Sequence, residues 1–103
     1  MIDKSIYVIT TFEKWPTDEQ HWDYGCSRSP GFYYTFEDAE DSVINNVCDI
    51  WETCYNYAQI TIMEPGMYGY TGDNWYYKYN RESGKYEKME NVEYPLFHIC
   101  GLG

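Results

Sequence analysis

Basic side chains are scarce in this chain: seven Lys and Arg stand against 17 Asp and Glu, a formal net charge of −10 over 103 residues. A protein that grips nucleic acid needs a cationic patch to displace counterions from phosphates, so direct nucleic-acid binding is not expected. Long apolar runs are missing as well, which excludes a membrane-spanning helix. The start, MIDKSIYVITTF, has no signal-peptide core, and a cytoplasmic protein in a bacterial host cell is the expectation. The four cysteines (Cys26, Cys48, Cys54, Cys100) are then reduced thiols.

Standard catalytic and ligand motifs are missing too. There is no C-x-x-C pair, and the two histidines, His21 and His98, lie far apart. A structural metal site usually draws on closely spaced ligand pairs, so no metal is expected. No G-x-S-x-G elbow marks a nucleophile. The glycines of GMYGYTGDN come without the G-K-[ST] of a phosphate-cradling loop. Carboxylate pairs are too numerous in so acidic a chain to single out a glycosidase site. The chain is therefore read as a non-enzyme that carries no cofactor.

Aromatic residues are abundant, at 20% of the chain with 13 Tyr. A core built largely from rings buries much area while leaving polar tips near the surface. At this length one domain, 1–103, is expected.

The stretch Thr35–Glu64 organises the rest. Thr35 has the chemistry of an N-cap, and Glu37 and Asp38 sit where the helix dipole favours negative charge. Phe36, Ala39, Val43, Val47, Ile50 and Cys54 recur at helical spacing. That rhythm predicts one long amphipathic helix; at Asn45-Asn46 it either breaks and restarts near Asp49 or continues, straight or kinked, with the same face. Alternation predicts strands over Ser5–Glu13, Gly31–Tyr34, Tyr57–Glu64 and Asn74–Asn80. RESG is a hairpin turn and KYEKME its return strand. Lys14–Pro30 and MYGYTGD read as loops. The tail from Asn91, with Val92, Tyr94, Leu96, Phe97 and Ile99, reads as a closing strand or turn. The fold class is α+β: a two-layer sandwich, β-β-α-β-β-β, with a mostly antiparallel sheet of four to five strands and one main helix. The helix covers one sheet face. The other is exposed, covered by the loops, or buried in a homodimer.

Charge carries most of the functional signal. Glu37, Asp38, Asp41, Asp49 and Glu52 fall opposite the apolar stripe, with no Lys or Arg between Thr35 and Asn56. Such a row can imitate phosphates and attract a basic nucleic-acid-binding groove. A solvated face is the equally ordinary explanation. Trp15 and Trp22 on the long loop are either a lid on the core or anchors for a partner. A rival site takes Tyr76, Tyr79, Arg28 and Arg81, rings and cations suited to a nucleotide.

The segments GFYYTFEDAEDSVINNVCDIWETCYNYAQITIMEPGMY, WYYKYNRESGKYEKME and HICGLG resemble small acidic proteins of gut Firmicutes and their prophages. The likeness runs from Gly31 onward. The group brings no assigned activity, so no functional residue carries over. What the resemblance implies is context: a phage anti-defence protein that binds and inhibits a bacterial immune factor, in the manner of anti-CRISPR proteins. The alternatives are a sponge for a nucleotide immune signal and a housekeeping interaction module.

Overall fold

β-Branched and aromatic residues alternate across Ile6–Phe12, and this stretch forms strand β1. A computed structural model of the chain describes residues 5–15, 25–66 and 70–90, with backbone alone for 70–73. After β1 come β2 (Ser27–Tyr33), helix α1 (Phe36–Ile44), β3 (Tyr57–Met63), β4 (Tyr70–Asn80) and β5 (Lys85–Lys88). The five strands make one sheet in the order β2-β1-β3-β4-β5. All four pairings are antiparallel. The architecture is the expected α+β arrangement of one main helix against a five-stranded sheet.

Side-chain alternation sorts the sheet into two faces. Toward α1 lie Ile9, Ala58, Ile60, Tyr77 and Tyr86, all buried with Ala39 and Val43 of the helix. Phe36, Trp75, Tyr79 and Trp51 fill the margins of that cluster. On the other face Val8, Thr10, Phe12, Gln59, Thr61, Met63 and Tyr76 are each at most 7% exposed. The centre of the far face is thus buried within one chain, whereas Phe32, opposite Val8 at its β2 margin, is 47% exposed. Its polar members satisfy one another: Gln59 Nε2 donates to Thr61 Oγ1 at 2.6 Å and to Asn74 Oδ1 at 2.8 Å. Thr10 and Ser29 share a hydroxyl contact at 3.0 Å. Among the described residues no buried side-chain polar atom lacks a partner, as a native-like interior requires.

Thr35 caps α1 as its chemistry predicts: its hydroxyl accepts from the Asp38 N–H at 3.2 Å. Thr35→Ala removes that acceptor and should cost about 1 kcal/mol in urea unfolding, whereas Thr35→Ser should cost little. A loss near zero for the alanine variant would mean that packing alone sets where the helix starts.

The helix is shorter than its apolar rhythm predicts. It ends at Ile44, and Asn45 and Asn46 do break it. Asn46 takes a left-handed φ of 50°, followed by a 3₁₀ turn over Val47–Asp49. Positive φ recurs at Cys48, Asp49, Glu52 and Thr53, a conformation that costs any L residue and a β-branched one most. Asn46 holds the turn by accepting the Trp51 N–H at Oδ1, 3.0 Å, an Asx-type bond that competes with helix continuation. Val47, expected in the stripe, is 41% exposed; Ile50 stays half-buried against the core.

Two stretches expected to be loops are partly strand. Ser27–Pro30 belongs to β2, and Tyr70–Asp73 extends β4. Polar side chains and glycines hid both, because ladder bonds are made by backbone and not by side chains. The tail from Asn91, Trp22, His21, Cys100 and His98 lie outside the described residues.

Candidate functional site

The acidic residues divide by position. Glu37, Asp38 and Asp41 lie on α1 and are exposed. Asp49 and Glu52 are exposed too, but on the irregular turn and not on the helix. That turn carries the acid row beyond Ile44, while the helical wheel ends there. Asp41 accepts from Asn45 Nδ2 at 3.1 Å and Asp49 from Asn46 Nδ2 at 3.3 Å. Glu52 meets Arg28 of β2 at 2.6 Å. That pair is largely exposed, so it positions the turn against β2 more than it stabilises the fold.

Glu40 behaves differently from its neighbours. The Tyr77 hydroxyl donates to Glu40 Oε2 at 2.6 Å, and Lys88 Nζ stands 3.9 Å from the same oxygen. This carboxylate fastens α1 to β4 and β5. Burial, then the bond to Glu40 and its charge, push the Tyr77 phenol well above its ordinary range. The charge count over α1 gives no hint of this role. The spacing does: Glu40 follows Phe36 by four, which puts it on the edge of the apolar stripe.

Trp15 is turned inward. It packs on Phe12 at 5.8 Å, Tyr57 at 5.5 Å and Tyr76 at 5.1 Å between ring centroids. This is the lid placement and not that of a displayed anchor.

The four residues considered for a nucleotide do not converge. Tyr76 lies on the far face, 5% exposed, whereas Tyr79 lies on the helix face and stacks on Trp51 at 4.4 Å and 12°. Arg81 caps that stack, its guanidinium 5.8 Å from the Trp51 ring centroid. Arg28 is on β2 at the opposite end of the strand order, paired with Glu52.

Cysteine chemistry has little support in these surroundings. Burial and the nearby Glu13 raise the Cys54 thiol above its usual range, the reverse of what an activated nucleophile needs. Cys26 and Cys48 are exposed. Among the described residues, no three His, Cys, Asp or Glu side chains come together in a way that would hold a metal ion.

A groove remains. Its volume is about 120 Å³, and Ile9, Gly31, Tyr33, Val47, Cys48 and Ile50 are among its lining residues. It lies between β2 and the turn that follows α1. Asp49 sits between two of its lining residues and Asp41 beside Ser42, a third.

The fold and this surface define a small α+β domain with an acidic helix-and-turn face. Comparison with protein-family models, curated proteins and solved structures finds no match. Among the described residues no helix is long and apolar enough to cross a membrane.

Proposed function

We propose that this is a non-catalytic binding protein whose acidic face, from Glu37 to Glu52, engages a basic protein. The fitting partner is one whose own groove is built for nucleic acid, such as a bacterial immune effector. The observation that carries this reading is uncompensated charge. Glu37, Asp38, Asp41 and Asp49 are exposed, and no ion pair to any of them is found among the described residues. Carboxylates left open in this way present a field that a cationic cleft complements, and the effect shows chiefly in association rate and salt dependence. Acids that served the fold alone would be bonded inward, as Glu40 is.

The test is competition. Basic nucleic-acid-binding effectors are loaded with a labelled duplex, and the protein is added at low and at physiological salt. The expected result is displacement of the duplex that weakens as salt rises, because exposed charges are screened within about 10 Å at 0.1 M. The variant Glu37→Lys, Asp38→Lys, Asp41→Lys should lose displacement by on the order of a hundredfold while retaining its circular dichroism spectrum. Equal displacement by the variant, or none by the natural protein at low salt, rejects the proposal.

A further inference from the structure

The sheet is uneven at its two edges. At one end β5 is short and bonded through the tight turn from Asn80. At the other, β2 is the outermost strand, seven residues long, and five of the seven are exposed. Among the described residues no strand pairs with its outer side. Beyond Ser29 and Pro30, the Gly31–Tyr33 end of this edge offers backbone donors and acceptors to an extended segment of another chain.

Three features make the Gly31–Tyr33 end of that strand specific. First, Gly31 has no side chain, and nothing lies within 4 Å of where a Cβ would stand, so another backbone can approach closely. Second, the apolar groove opens beside it, lined by Ile9, Tyr33, Val47 and Ile50. A strand laid along β2 would place alternate side chains toward that groove. Third, Asp41 and Asp49 are exposed next in sequence to the lining residues Ser42, Cys48 and Ile50, and neither has an ion-pair partner among the described residues. Pro30 sets a limit: it lacks an N–H and has no register partner on β1, so the regular strand available for pairing begins at Gly31.

From this arrangement we infer that the Gly31–Tyr33 end of the β2 edge receives an extended segment of the partner as a sixth strand, and that apolar and basic residues alternate along that segment. The apolar side chains enter the groove and the basic ones meet Asp41 and Asp49. Charge decides the occupant: a second copy would bring another −10 against the same acids, which opposes pairing. The inference deepens the proposed function and takes the partner's charge from it.

The probe is an acetylated, amidated heptapeptide of alternating Lys and Val, titrated into the ¹⁵N-labelled full chain at low salt. Two control peptides separate the contributions. One carries N-methyl groups on alternate amides and so lacks the ladder donors; the other replaces Val by Ser. Val47→Asp is the informative variant, since Val47 is 41% exposed and its replacement keeps the fold, checked by the amide spectrum. It adds negative charge while spoiling the apolar groove. The expected result is amide shifts centred on Gly31–Tyr33 and on 47–50. Binding should fall at least about tenfold for both control peptides and for Val47→Asp. If all three peptides bind alike and Val47→Asp binds more tightly, charge alone is at work: the edge-strand inference falls and the acidic-face proposal stands. If no cationic peptide binds at low salt, both fall. A dimer in sedimentation that the Lys-Val peptide cannot dissociate would show a second copy on β2 and overturn the inference.

Discussion

Raising the pH past 10 should unfold this protein steeply. Tyr76, Tyr77 and Tyr86 are 5%, 0% and 1% exposed, and burial raises the phenol of each well above its ordinary value. At Tyr77 the Glu40 carboxylate adds to the effect; at Tyr86 the neighbouring Tyr79, Asp49, Cys54 and Glu52 do. A phenol whose folded pKa lies above its unfolded one holds its proton longer in the native state. Its stabilising contribution is complete below about pH 10 and is lost as pH climbs through the interval between the two values. Within that interval each such tyrosine costs about 1.4 kcal/mol per pH unit, so three together cost roughly 4. A domain of this size has on the order of 5–15 kcal/mol to lose. Tyrosinate absorbance near 295 nm, followed beside far-ultraviolet circular dichroism, checks this. At least three of the 13 tyrosines should ionise only together with loss of the dichroism signal. Ionisation of all of them near pH 10 with the fold intact would contradict the burial described above.

The second large effect is expected from Phe12→Ala. Phe12 is fully buried on the face away from α1. It stacks on Tyr57 at 5.5 Å and 19°, with Trp15 leaning on it from the loop side. Truncation removes the ring and leaves a cavity among other rings that relax poorly, at a cost of about 3–5 kcal/mol. With an m value typical of small domains the urea midpoint should fall by on the order of 2 M. The rings around the cavity depend on one another, so Trp15→Ala should cost less when added to Phe12→Ala than when made alone. A loss below about 1 kcal/mol for Phe12→Ala would mean that this second cluster is loosely held and that the α1 face bears nearly all the stability.

Much of the fold was legible from alternation. Ile6–Phe12, Tyr57–Met63 and the β4–β5 hairpin carry β-branched and aromatic residues in a two-residue rhythm, and Thr35 announces α1 by its capping chemistry. What escaped is of one physical kind, namely backbone decisions that side-chain polarity does not report. The break at Asn45-Asn46 was legible, but not that the helix fails to resume after it: Val47 and Ile50 keep the helical phase, yet Asn46 binds the Trp51 N–H and turns the chain aside. Ser27–Pro30 is polar and contains proline, and still pairs with β1 through Ser27 and Arg28. The acid row was legible as charge. Only the spacing of Glu40 from Phe36 hinted at its inward position; its partner Tyr77, 37 positions on, and the Arg28–Glu52 pair, 24 apart, were not legible. The groove beside β2 joins four separate stretches of chain, which no local pattern can assemble.

The strand order also bears on how the chain reaches this shape. β1 is flanked by β2, which follows it closely, and by β3, with Ile9 facing Ile60 half the chain away. As synthesis proceeds from the N-terminus, β1, β2 and α1 leave the ribosome before the central strand that joins the two halves of the sheet exists. Closing that loop is an entropic cost met before any of its contacts form, so such pairings are slow. The β3–β4–β5 meander is local and can form first, with β1 adding to it afterwards. Until then β2 pairs with one edge of β1 and the edge that β3 will fill is open, a condition that favours strand exchange with another molecule.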